Sequence, residues 1–87
     1  MTKIQTLNTA SDLRRIANWT ARGEVEKLNL IKSLLAQIKD KKTRELIDKF
    51  RENIKVEDAF KEKKKQNLFA EGMLTASIIL QNKALNS

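Results

Sequence analysis

The chain has 87 residues, a net charge of +7 and charged side chains at 33% of its positions, with no cysteine, histidine or proline. A chain of this length makes one domain near the small end of what folds alone, burying only about 60–65% of its unfolded surface. Without His or Cys it lacks the common general base at neutral pH, a thiolate nucleophile, a disulfide staple and a nitrogen or sulfur metal site.

The only glycines are Gly23 and Gly72, and no stretch alternates with the period of a strand. These features predict an all-α, single-domain small bundle of four to five helices. Residues 1–8 are expected to be a flexible N-terminus. The first helix is expected over residues 9–22, with Thr9 and Asp12 as a capping box and Ala10, Leu13, Ile16, Ala17 and Ala21 on one face. Gly23 supplies the left-handed residue that ends it.

A second helix over residues 24–39 carries the clearest amphipathic stripe: Val25, Leu28, Ile31, Leu34, Leu35 and Ile38. Asp40 caps a third helix over residues 41–55, with Leu46, Ile47, Phe50 and Ile54 as its stripe. The stripe changes phase near Lys55, so residues 56–65 are expected to form a separate short helix. The last helix, residues 67–85, is apolar around nearly its whole circumference and should be buried on all sides. Gly72 and Ala76, four apart, allow a second backbone to approach it closely.

Function is less legible than architecture. The two isolated glycines cannot make a phosphate-cradling loop, and the acidic pairs have no calcium-loop spacing, so no cofactor, metal, catalytic residue or small-molecule substrate is expected. The first residues have no signal-peptide core and no stretch is long and apolar enough to span a membrane, which points to a cytoplasmic protein with no membrane insertion.

The favoured expectation is a non-enzymatic protein-binding regulator or adaptor acting through an apolar helical surface, holding a protein partner or self-associating as a homo-oligomer. Its candidate anchors are Leu68, Phe69, Met73 and Leu74, with Trp19 elsewhere on the surface. In overall composition the chain is similar to small accessory proteins of phages and plasmids.

The alternative is a basic protein contacting nucleic-acid phosphates non-specifically. Lys61, Lys63, Lys64 and Lys65 form one cluster, Arg14 and Arg15 a second, and Lys41 and Lys42 a third. Against it, residues 39–65 mix eleven Lys/Arg with seven Asp/Glu, whereas nucleic-acid arms run in like-charge blocks. The lysines of residues 61–65 are better explained as a solvated turn complementing the C-terminal end of a helix dipole, because Glu57, Asp58 and Glu62 dilute the patch. Convergence of the three clusters on one face is the geometric condition that separates the two functions.

Overall fold

The structure is a computed structural model that describes residues 1–86. It is an all-α bundle of helices α1 (Lys3–Ala21), α2 (Leu28–Ala36), α3 (Lys41–Arg51), α4 (Val56–Ala59) and α5 (Lys63–Leu85), with a 3₁₀ turn at Val25–Lys27 before α2. No strand occurs among the described residues.

Helix α1 begins six residues earlier than the Thr9 capping pattern suggests, so residues 3–8 are helical and not a flexible tail. Thr2 and Gln5 form a second capping box, and this is the one used. The Gln5 backbone N–H donates to the Thr2 hydroxyl at 3.1 Å, and the Thr2 N–H donates to the Gln5 side chain at 2.9 Å. Thr9 then lies inside the helix, and Asp12 pairs with Arg15 one turn on. The opposite end closes as expected. Gly23 has φ +67°, the Gly23 N–H donates to the Thr20 carbonyl at 3.0 Å, and the Glu24 N–H donates to the Trp19 carbonyl at 3.0 Å. This is a Schellman closure, in which a left-handed residue lets two amides satisfy carbonyls of the last turn.

Helices α1 and α5 are the long elements and pack antiparallel over most of their length. The Gln66 amide donates to the Ala21 carbonyl at 3.1 Å, and the Ser77 hydroxyl donates to the Ala10 carbonyl at 2.7 Å, so chain order on one helix runs opposite to that on the other. The residues between them recur at alternating steps of three and four: Ala10, Leu13, Ala17 and Thr20 on α1, and Ala70, Met73, Ser77, Leu80 and Ala84 on α5. All are buried. Heptad spacing of this kind keeps one seam facing a partner helix, and small residues along it let the two backbones come close.

The remaining elements form a second layer on one side of this pair. Helices α3 and α4 lie on α5, and the C-terminal end of α2 lies beside the first half of α1. Ile31, Ile38, Ile47, Ile54, Val56 and Ala59 close the core from that layer, joined at its edges by Leu28, Leu34, Leu35, Phe50 and Phe60. The expected second helix shortens to residues 28–36, because the chain leaving the Gly23 turn first makes the 3₁₀ turn. Val25 is left exposed there.

The third helix stops at Arg51 and does not reach residue 55. Glu52 and Asn53 both take left-handed backbone, φ 52° and 61°, which reverses the chain. The break expected near Lys55 is therefore present, but α4 is a single turn ending at Ala59. The lysines of residues 63–65 belong to the first turn of α5.

The contact that sets the second layer is between Gly72 and the end of α3. A Cβ built on Gly72 would fall on the Phe50 carbonyl group, 2.8 Å from its carbon and closer still to its oxygen, so only glycine fits. Helix propensity alone would favour alanine over glycine by about 1 kcal/mol. Overpacking against a backbone atom costs about 1–3 kcal/mol and outweighs that gain. Gly72→Ala is therefore expected to lower the thermal midpoint, by up to about 15 °C. A midpoint unchanged or raised in a calorimetric scan would show that the two backbones have room to spare.

Candidate functional site

With the second layer on one side, the α1/α5 pair keeps its other side uncovered. The positions that point there follow a second set of three- and four-residue steps. On α1 they are Ile4, Leu7, Ser11, Arg14 and Asn18; on α5 they are Asn67, Glu71, Leu74, Ile78, Gln81 and Leu85. None of these eleven is buried. Four are large aliphatic side chains open to solvent: Ile4 at 71%, Leu85 at 57%, Ile78 at 44% and Leu74 at 40% relative exposure. Each long helix thus carries two heptad seams, one spent inside the chain and one free.

This outer seam is poor in charge on a chain that is otherwise dense with it. Its eleven positions hold one cation, Arg14, and one carboxylate, Glu71, and Lys64 continues the same step at the far end of α5. The Arg14 guanidinium donates to the Gln81 side chain at 3.1 Å, across the groove between the two helices. Glu71 has no ion pair among the described residues. The floor of the groove is made by Ala10 and Ser77, with Leu7, Ser11, Arg14 and Gln81 as its walls, enclosing about 210 Å³.

The expected anchors divide. Leu74 lies on the outer seam. Phe69 and Met73 are fully buried in the core, and Leu68 is partly buried against it, because these positions point toward the second layer and α1. Phe69 and Met73 are thus corrected from surface anchors to core residues. Trp19 is half-buried with two cations of its own chain near its ring, Lys27 Nζ at 5.4 Å and the Arg15 guanidinium at 6.0 Å from its centre. The last helix is not buried all round: its apolar circumference divides into the enclosed seam and an open one. Ile78 and Leu85 are not distinguishable as surface residues in the sequence, because an all-round apolar helix hides its own periodicity, and Ile4 and Leu7 lie in the segment expected to be a flexible N-terminus.

The basic clusters do not converge. Lys41 and Lys42 lie at one end of the molecule, where they join Lys3 and Lys83 around a cavity of about 500 Å³. Lys63, Lys64 and Lys65 start α5 at the other end, with Lys61 in the turn before it. Nineteen residues of helix separate Lys64 from Lys83, about 28 Å. Arg14 and Arg15 sit midway along α1. The first turn of α5 contains no acidic residue, so its lysines face the positive end of the helix dipole. This corrects the expectation that they complement a C-terminal end. Lys65 comes 3.6 Å from Glu62 just ahead of the helix.

Among the described residues no helix is long and apolar enough to cross a membrane, and no three His, Cys, Asp or Glu side chains group as metal ligands. Asp40 lies in the wall of the lysine-lined cavity and caps α3. Its carboxylate accepts from the Thr43 hydroxyl at 2.8 Å and from the Thr43 N–H at 3.0 Å. These two hydrogen bonds, the hydroxyl first, and more weakly the charges of the N-terminal amine and Lys83, outweigh the opposing effect of burial and hold the Asp40 carboxyl below its ordinary value. A depressed folded pKa contributes stability above the unfolded value near 3.9, and that contribution is lost as pH falls through the folded pKa. Asp40→Asn keeps a capping oxygen without the titrating group. It is expected to lose less stability than wild type below about pH 4. Parallel acid-unfolding curves would remove Asp40 from that role.

Comparison with protein-family models, curated proteins and solved structures finds no match to this chain.

Proposed function

We propose that the chain is a non-enzymatic protein-binding module, a small regulator or adaptor, that associates through the uncovered side of the α1/α5 pair. The observation that carries this reading is the heptad-spaced outer seam, with Leu74, Ile78 and Leu85 in line on α5 and Ile4 and Leu7 on α1, which gathers four of the large exposed aliphatic side chains on one face while others, such as Val25, Leu30 and Ile79, lie off it. Monomeric proteins rarely leave contiguous apolar strips uncovered, and depletion of charge with retained aliphatic side chains is the composition of an interface core. A groove between two helices with this spacing accepts another helix by its i, i+3, i+4, i+7 positions.

Site-specific cross-linking tests this reading. A photoreactive residue replacing Ile78 is expected to label protein in the cell of origin, whether another copy or a different chain. The same residue replacing Lys49, on the charged face of α3, is expected to label little. Equal labelling at both positions, or none at 78, would remove the outer seam as an interface.

The second reading is non-specific nucleic-acid binding. The observation favouring it is that Lys41 and Lys42, and residues 63–65, occupy the first turns of α3 and α5, where positive charge is locally unfavourable without an anion. The separation of the clusters weighs against one continuous phosphate track. Binding to random-sequence duplex is expected to be weak at ~50 mM salt and absent at ~200 mM. Sub-micromolar affinity at the lower salt, with a slope flattened by Lys41→Ala and Lys42→Ala, would instead promote this reading.

A further inference from the structure

We infer that the occupant of the outer seam is a second copy of this chain, packed so that α1 of each copy lies on α5 of the other in a two-fold four-helix bundle. The inference rests on the protein-binding reading and names its partner. The argument is self-complementarity: in a two-fold interface the same patch must suit itself, so each feature needs its counterpart at the right place on the same face.

The contacts within the chain fix the level of every residue along the bundle. Ala10 lies opposite Ser77 and Ala21 opposite Gln66. Lys3 and Thr6 share a cavity wall with Leu80 and Lys83. Arg14 therefore sits level with the turn of α5 that contains Glu71 and Met73, while Ile4 and Leu7 sit level with the stretch from Ile78 to Leu85. A two-fold axis parallel to the helices keeps every level and exchanges α1 with α5. It places Arg14 of each copy beside Glu71 of the other, and Ile4 and Leu7 of each copy against Ile78 and Leu85 of the other. The one cation and the one carboxylate of the face are thereby brought within reach of each other twice, the Arg14 guanidinium turning from Gln81 to meet Glu71, and its most exposed aliphatic side chains are covered.

An axis across the helices fails this test. It would carry the apolar Ile4/Leu85 end of one copy onto the Asn18/Asn67 end of the other. The footprint of two helices is also sufficient. Nineteen residues of α1 span about 28 Å, and the molecule is 20 Å wide. Corrugated by side chains, that face approaches the ~800 Å² per partner of a standard interface. Polar residues on an otherwise apolar heptad seam fix register and orientation, a role that falls to Arg14 and Glu71.

Sedimentation equilibrium on the purified chain between ~10 and ~100 µM is the test. Wild type is expected at twice the chain mass. Arg14→Glu and Glu71→Arg each place like charges together and are expected to raise the dissociation constant at least tenfold, with helicity by circular dichroism unchanged. The two single variants mixed in equal amounts are expected to dimerise again, because each then meets its opposite charge. The axis is read separately: the chain has no native cysteine, so a copy carrying Ile4→Cys should form a disulfide with a copy carrying Leu85→Cys, and neither with itself. A wild type monomeric throughout, single variants that dimerise normally, or disulfides within each variant alone would each overturn the inference. If the chain is monomeric while cross-linking from position 78 captures a different protein, self-association fails and the protein-binding reading stands.

Discussion

The backbone-to-backbone contact between Gly72 and Phe50 determines how this small bundle is layered. Because α5 presents no side chain at that position, the end of α3 rests directly on it. The chain must then turn away at once, and it does so through two consecutive left-handed residues, Glu52 and Asn53. Left-handed backbone is strained for a residue such as Glu, so the surrounding contacts must fix the turn. The result commits α3 and α4 to one side of α5. None of the other described helices lies over the opposite side.

Two seams on each long helix follow from that commitment. The inner seam is built from Ala10, Ala17, Ala70, Ser77 and Ala84 with a few large residues between them, a pattern that trades side-chain volume for close approach. The hydrogen bond from Ser77 to the Ala10 carbonyl is possible only because the backbones are near, and it satisfies a hydroxyl that burial would otherwise strand. Thr20 meets the same requirement inside its own helix, donating to the Ile16 carbonyl at 2.8 Å. The outer seam has the same step but larger aliphatic residues at its open end and a polar middle. A core built on one side of a helix pair gives the 87-residue chain its fold and leaves the other side open to solvent.

Charge is arranged around these seams. Most ion pairs are local or exposed, such as Lys32 with Glu57 at 2.5 Å between α2 and α4, and pairs of this kind contribute about 0–1 kcal/mol each. The two lysine clusters of the sequence lie at opposite ends of the long helices. At one end they surround the N-terminus of α3, and at the other they crowd the N-terminus of α5. That split comes from the antiparallel path of the chain, which carries Lys83 back beside Lys3, Lys41 and Lys42 and leaves residues 63–65 at the far end.

Local chemistry in the sequence was enough to determine the helical class, the Gly23 closure, the Asp40 cap, the break between the third and fourth helices, and the meaning of Gly72 as a point of close approach. Each depends on residues within a turn or two, or on the absence of a side chain. Helix starts were less legible. Thr2/Gln5 and Thr9/Asp12 satisfy the same capping pattern, and only packing of α1 against the end of α5 decides that the earlier one is used. The division of the last helix into a buried and an open seam was beyond the sequence. Phe69, Met73, Leu74 and Ile78 are chemically equivalent in a linear reading, and which of them is enclosed depends on where α1 and α3 lie. Tertiary structure alone decided that, because one helix cannot reveal how much of its circumference its neighbours have room to cover.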